Sequence, residues 1–212
     1  MIGILTNHWS EFLSGFWNTI LCSLIALFFS LILGVGFALL EVAPNKFGRA
    51  VAHVYIEIFR NIPLLVITMI FYLVVPQIWF KVSGFAAGTI GLTLYTSAFI
   101  AETVRAGINS VGDGQMEGAR SNGMTYMQAM YHVIIPQALN KMIPSLLSQF
   151  VSLVKDTSLA TIIVLPELLF HAQIIYSQNT TYLIPMYVII AIMYFIVCFS
   201  LSMIAKHLQS KY

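Results

Sequence analysis

The 212 residues are 59% hydrophobic and 8% charged, with a formal net charge of +2. Soluble domains carry roughly a quarter charged residues, so this composition excludes a soluble globular chain and reads as an integral membrane protein. The cations are scattered rather than gathered into a run, which excludes a nucleic-acid-binding surface. Cys22 and Cys198 sit in apolar stretches without metal-ligand spacing; both read as small buried hydrophobes, and no disulfide or metal site is expected.

A helix needs about 20 mostly apolar residues to cross the hydrocarbon core, and five runs meet that length, giving an all-α membrane protein of five spans. The first covers about 16–40. It is longer than the core of a signal peptide, has no basic residue before it and no clean cleavage site after it, so it is expected to stay in the mature chain. The second covers about 51–75, and Pro63 within it removes an amide donor and crowds the preceding turn, predicting a kink or a restart. The third covers about 85–107. Glu57 and Arg60 on the second span, and Glu102 and Arg105 on the third, stand three residues apart, so each pair can meet on one helix face. Mutual neutralisation near the helix ends is one reading; a four-residue interhelical cluster closing an inner gate, with Glu102 meeting a substrate ammonium group, is the other.

Between Ser110 and Ile135 a polar segment, SVGDGQMEGARSNGMTYMQAMYHVII, is too charged to cross a bilayer. Its order predicts a short helix, a bend at Gly123 and a second helix running past Pro136 into the fourth apolar region. Thr125 and Gln128 have the spacing of a capping box at the start of that second helix. An amphipathic helix lying on the membrane is the competing reading, but Asp113, Glu117 and the scarcity of lysine oppose it, because such helices are usually basic.

The fourth region, from about 134 and most apolar over about 142–170, is interrupted by Lys155, Asp156, Thr157 and Ser158. The last three are residue types that cap helix N-termini. A broken helix with free amides in the membrane interior is therefore expected there, an arrangement that favours carboxylates in transporters; the alternative is that Lys155 and Asp156 pair with neighbours and hold the break. The fifth span covers about 183–205, with Pro185 in its opening turn.

Lys46 and Arg49 lie between the first two spans, Arg105, Arg120 and Lys141 flank the polar segment, and Lys206 and Lys211 close the chain. The positive-inside bias puts these regions in the cytoplasm and the N-terminus outside. On this orientation Trp9, Trp17, Trp79, Tyr176 and Tyr182 fall near the outer interface. No repeat or linker divides residues 1–212, which read as one transmembrane domain containing the 110–135 segment. The histidines, His8, His53, His132, His171 and His207, all flank spans and read as solvated bystanders, without a serine at matching depth for an intramembrane hydrolase. There is no GxxxxGK[ST] phosphate loop. A motor driving this chain must be another polypeptide.

Three stretches, SAFIAETVRAGINSVGDGQMEGARSNGM, VIIPQALNKMIPSLL and SLVKDTSLATII, together with FRNIPLLV, resemble the permease subunits of ABC importers for polar amino acids: histidine, glutamine, glutamate and arginine. The resemblance runs from about Thr19 to the last span. It implies the type I ABC importer permease fold, in which Glu117, Gly118, Ala119, Gly123 and Met124 correspond to the EAA loop that enters a groove on the ATPase. Two positions depart from that pattern. Gly118 stands where the middle alanine is usual and loosens the helix by roughly 1 kcal/mol, and Asn122 replaces an apolar residue.

The resemblance further implies a cytosolic ATPase dimer that holds ATP and Mg, a second permease subunit (itself or a sister chain) and an extracytoplasmic amino-acid-binding protein, with no cofactor bound by this chain. Lys155, Asp156, Thr157, Ser158 and Glu102 are the candidate substrate path. The FRNIPLL stretch leans by resemblance toward glutamine, glutamate or aspartate, while Asp156 and Glu102 leave a basic amino acid such as arginine or histidine open. From a different class, an ion-gradient-driven secondary transporter or channel is the rival, made awkward by five spans without a repeat.

Overall fold

The computed structural model describes residues 7–209, and among these all regular structure is helical. Lys211 and the first six residues, which carry part of the orientation argument, lie outside the described residues. The elements are α1 (Trp9–Val42), α2 (Lys46–Asn61), α3 (Leu64–Ile78), α4 (Gly84–Asn109), α5 (Asp113–Ser121), α6 (Tyr126–Ile163), α7 (Leu168–Gln178) and α8 (Leu183–Gln209). Four helices, α1, α4, α6 and α8, are long and apolar enough to cross a membrane, and the bent pair α2–α3 supplies the fifth span if counted as one.

The central pair is α1 on α4. Along α1 the buried positions include Cys22, Ala26, Ser30, Gly34 and Ala38, one small residue per turn. In lipid there is no hydrophobic drive between apolar helices, so association depends on close packing and interhelical hydrogen bonds, which small side chains permit. A Cβ added at Gly34 would lie 2.7 Å from the Ser97 carbonyl oxygen and 2.6 Å from Ile100 Cγ2. The Ser30 hydroxyl donates to the Thr93 carbonyl at 3.0 Å, and Cys22 Sγ stands 3.3 Å from Thr89 Oγ1. Larger residues on the outer face of α1, among them Leu24, Phe28 and Ile32, are exposed, as lipid-facing residues are.

Pro63 restarts its helix more sharply than a kink. Ile62 is extended (φ −97°, ψ 130°), as the residue before proline prefers, and α2 and α3 meet at 100°. The expected span over 51–75 is thus two pieces, with the restart where Pro63 predicts it. Two other prolines, Pro76 and Pro136, each follow a π-helical turn, Ile70–Val74 and Met130–Ile134. The wider turn relieves the clash a proline ring makes with the carbonyl four residues back.

Cys22 is buried, whereas Cys198 is only partly so, and both are free thiols. Three apolar clusters stack along the molecule. Ile56, Ile100, Val104, Ile108, Met130 and Ile134 fill the end that carries α5; Leu64, Leu92, Leu153, Ile163 and Leu165 fill the middle; Phe12, Leu168, Ile175, Met186 and Ile189 fill the opposite end.

Candidate functional site

The segment 110–135 folds as a hairpin of α5 and the start of α6. Gly123 has φ +86°, in the left-handed region that costs other residues about 1–2 kcal/mol. Its amide donates to the Arg120 carbonyl at 3.0 Å and the Met124 amide to the Ala119 carbonyl at 3.2 Å, which is a Schellman closure of α5. The predicted capping box is present: the Gln128 amide donates to Thr125 Oγ1 at 3.3 Å and the Thr125 amide to Gln128 Oε1 at 2.8 Å. Asn122, a departure from the expected apolar residue, donates its side-chain amide to the Gly118 carbonyl at 2.8 Å and so serves the same helix end.

Three polar bonds fasten this hairpin to the bundle. Lys141 Nζ donates to the Ser110 carbonyl at 2.7 Å, Gln137 to the Gln115 side-chain oxygen at 3.2 Å, and the Tyr126 hydroxyl to the Val42 carbonyl at 3.0 Å. Ala119 is buried and Met116 packs on the nearby core cluster. The outward edge holds Gly114, Glu117, Gly118 and Ser121, all exposed. Their spacing places them in one row, a ridge of small residues carrying a single carboxylate. A Cβ on Gly118 would meet nothing within 4 Å, so an alanine fits there.

The two ion pairs expected on α2 and α4 are joined. Arg105 grips Glu102 through two bonds, Nη2 to Oε1 at 2.6 Å and Nε to Oε2 at 3.0 Å. Arg60 Nη1 reaches the same Glu102 at 3.4 Å and Glu57 at 3.9 Å, with its guanidinium over the Phe99 ring at 5.8 Å. Glu41 of α1 extends the chain to Arg105 at 3.8 Å and to His53 at 3.2 Å. Glu102 is the bridge between the two arginines. Sequence reading missed Glu41, although a carboxylate closing an apolar run was the available signal, and it took His53 for a bystander.

At the other candidate, the α-helix ends at Asp156 and a short 3₁₀ helix begins at Thr157, within the expected break, but without the expected side-chain cap. Asp156 is helical and its side chain caps nothing, while the Thr157 and Ser158 hydroxyls donate backward to the Val154 carbonyl at 2.8 Å and the Lys155 carbonyl at 2.7 Å. The helix tightens into a 3₁₀ turn, Thr157–Ile163, and stops at Val164, whose φ is 61°. Lys155 is exposed, Asp156 and Ser158 are partly buried, and Thr157 is fully buried. Glu102 belongs to the separate arginine cluster. The structure therefore brings four of the five candidate path residues together and leaves the fifth elsewhere.

The free helix N-terminus is ten residues later and is already filled. Glu167, wholly buried, caps α7 by accepting the Leu169 amide at 2.8 Å and the Phe170 amide at 2.7 Å; it also accepts the Tyr194 hydroxyl at 2.7 Å and the Thr161 hydroxyl. Around it, Asn18 donates to the Pro166 carbonyl at 2.8 Å and the Leu168 amide to Thr19 Oγ1 at 3.2 Å. Glu167 was not foreseen, because glutamate is not a usual cap and its four donors come from three elements.

A family model described as "Binding-protein-dependent transport system inner membrane component" matches residues 26–212. The chain belongs to this family. As a binding-protein-dependent inner membrane component it is a transport protein rather than an enzyme, and the all-α fold is that of the ABC importer permeases. Among curated proteins, the probable glutamine ABC transporter permease GlnM of Bacillus subtilis (strain 168) is 42% identical over 99% of this chain and 97% of its own length. The L-cystine transport system permease TcyB of the same organism is 35% identical over 97% and 88%. Among solved structures, an amino acid ABC transporter crystallised with histidines superposes with a TM-score of 0.92 at 33% identity, covering 98% of this chain and 97% of that one. The MetNI methionine ABC transporter in its inward-facing form gives 0.75 at 21% identity over 95% and 98%, a likeness of fold alone.

Proposed function

We propose that this inner membrane component is the permease subunit of an ATP-driven importer for a polar amino acid, with glutamine as the leading substrate. Its partners are a cytosolic ABC ATPase dimer, which holds the ATP and Mg, a second permease subunit and an extracytoplasmic amino-acid-binding protein. The observation that carries the reading is the ridge of Gly114, Glu117, Gly118 and Ser121, exposed on a helix that is itself bolted to the bundle. In a chain with no nucleotide-binding loop, a rigid exposed ridge with one carboxylate is a handle for another protein. Glu117, Gly118, Gly123 and Met124 form the coupling contact, with Ala119, the remaining residue of the motif, buried beneath them. The glutamine assignment is supported by two relatives from Bacillus subtilis, both probable glutamine ABC transporter permeases, at 42% and 40% identity.

In this reading the hairpin and the C-terminus face the cytoplasm, the N-terminus faces outward, and the Glu57–Arg60–Glu102–Arg105 cluster closes the inner end of the path. Lys155, Asp156, Thr157 and Ser158 lie on the path itself. ATP binding favours one access state by contacting the ridge better in that state.

The test is Glu117→Lys in the permease co-expressed with its ATPase. The variant is expected to insert at normal levels while copurifying ATPase, and uptake of radiolabelled glutamine into proteoliposomes loaded with ATP, both fall to background. Wild-type uptake in that variant, or uptake by the wild type without ATP, would overturn the proposal.

A further inference from the structure

Beside the hairpin, a cavity of about 750 Å³ opens between the end of α1, the start of α2 and the end of α4. Lys46, Arg49, His53 and Arg105 line it, against the single carboxylate of Glu41. Glu41 faces Arg105 at 3.8 Å and His53 at 3.2 Å, and neither Lys46 nor Arg49 has a carboxylate within ion-pair distance among the described residues. The Arg49 side chain makes a long bond, 3.5 Å, to the Pro44 carbonyl. The cavity is therefore cationic in excess.

It does not stand alone. Val42, Ala43, Pro44 and Tyr126 also wall a second groove of about 380 Å³, whose remaining lining is apolar or aromatic: Leu39, Leu40, Met127, Met130, Tyr131 and Ile135, with Gly36. A cationic cavity and an apolar groove thus meet along one shared wall. The surroundings are those of a membrane interface. Phe47, Val51, Val54 and Ile58 form an exposed apolar row along α2, starting between the two unpaired cations. Basic pockets among membrane helices that adjoin hydrocarbon accept anionic headgroups, because the phosphate replaces a missing carboxylate while an acyl chain covers the apolar surface.

We infer that this paired cavity and groove binds one anionic glycerophospholipid, its phosphate on Lys46 and Arg49 and one acyl chain along Leu39, Leu40, Met127 and Tyr131. A soluble anion would satisfy the cations but leave the groove bare, and a neutral lipid would fill the groove but leave the cations unpaired. The amphiphile does both.

The experiment uses the full chain, purified with its partner subunits in nanodiscs of phosphatidylcholine with a quarter phosphatidylglycerol, and counts retained lipid by native mass spectrometry. The wild type is expected to retain phosphatidylglycerol over phosphatidylcholine. Each of Lys46→Gln and Arg49→Gln is expected to lower that preference about fivefold, and the pair about thirtyfold, from roughly 1 kcal/mol per interfacial cation. Lys81→Gln, outside the cavity, leaves it unchanged. Met127→Gln, which keeps both cations, weakens phosphatidylglycerol retention while the complex still elutes intact. Excess inorganic phosphate does not displace the lipid.

An unchanged lipid preference in the double variant overturns the proposal. So does complete displacement by inorganic phosphate, which marks a free-anion site. Release of a partner subunit from the double variant with lipid retention unchanged marks a protein interface instead, and equally overturns it.

Discussion

Replacing Gly123 by alanine isolates the conformational part of the hairpin from everything else. An added Cβ meets no atom within 4 Å, so there is no steric term; the whole cost comes from φ +86°. That cost is about 1–2 kcal/mol, and it falls on the two bonds of the Schellman closure, from the Gly123 and Met124 amides to Arg120 and Ala119. Hydrogen–deuterium exchange of the purified complex should therefore show the Met124 amide exchanging about five- to thirtyfold faster in Gly123→Ala, with the exchange of α1 and α4 unmoved. Gly118→Ala acts in the opposite direction. It sits inside α5 with open space around the added carbon, so it stabilises the helix by about 1 kcal/mol and slows exchange in α5 about fivefold. In the double variant the two effects should offset in part, leaving Met124 exchange between wild type and about sixfold faster. Met124 exchange within twofold of wild type in Gly123→Ala, or faster exchange in Gly118→Ala, would refute the reasoning.

Two further substitutions test the packing. Gly34→Ala drives a carbon to within 2.7 Å of the Ser97 carbonyl, and overpacking of this kind costs about 1–3 kcal/mol; a lowered thermal unfolding midpoint in detergent is expected, while Gly36→Ala, with nothing within 4 Å, should not lower it. Glu167→Ala leaves two amides and two hydroxyls without their acceptor and is expected to cost at least about 3 kcal/mol. Glu167→Gln, which keeps one acceptor oxygen, should cost less in the same unfolding measurement, and equal loss from both would show that the carboxylate's second oxygen carries the network.

What sequence reading recovered was local. The capping box at Thr125 and Gln128, the bend at Gly123 and the restart at Pro63 each depend on residues within four positions of one another, where dihedral preferences and side-chain reach decide the outcome. The change of helix at Asp156 was legible, but the capping was not. Asp156, Thr157 and Ser158 are cap-forming types, but threonine and serine hydroxyls can equally bond back to the preceding turn, and here Thr157 and Ser158 do so. What ends the helix is Val164 in the left-handed region, with Pro166 and the Glu167 cap beyond it, and a β-branched residue gives no sequence signal for such a position. The Glu167 network, the Glu41–Arg105 contact and the groove between the end of α1 and the start of α6 join segments far apart along the chain, so they became visible only in three dimensions.

The distribution of bond types also says where the molecule resists and where it yields. The α1–α4 interface is held by close backbone approach and buried hydrogen bonds shielded from water, and a one-atom addition there has nowhere to go. The hairpin, by contrast, is fastened through Lys141, Gln137 and Tyr126 by bonds whose side chains are exposed or half-buried, each worth about 0.5–1.5 kcal/mol net. A force applied at Glu117 meets these three bonds before it meets the central pair. Past them it enters α6, 38 residues from the capping box to Ile163, whose α-helical body Ile135–Asp156 lies between a π-helical turn and the closing 3₁₀ turn. The element nearest the exposed ridge and the element nearest the buried carboxylate are thus one helix, which packs on α4 along the way through Ile134, Ala138 and Met142.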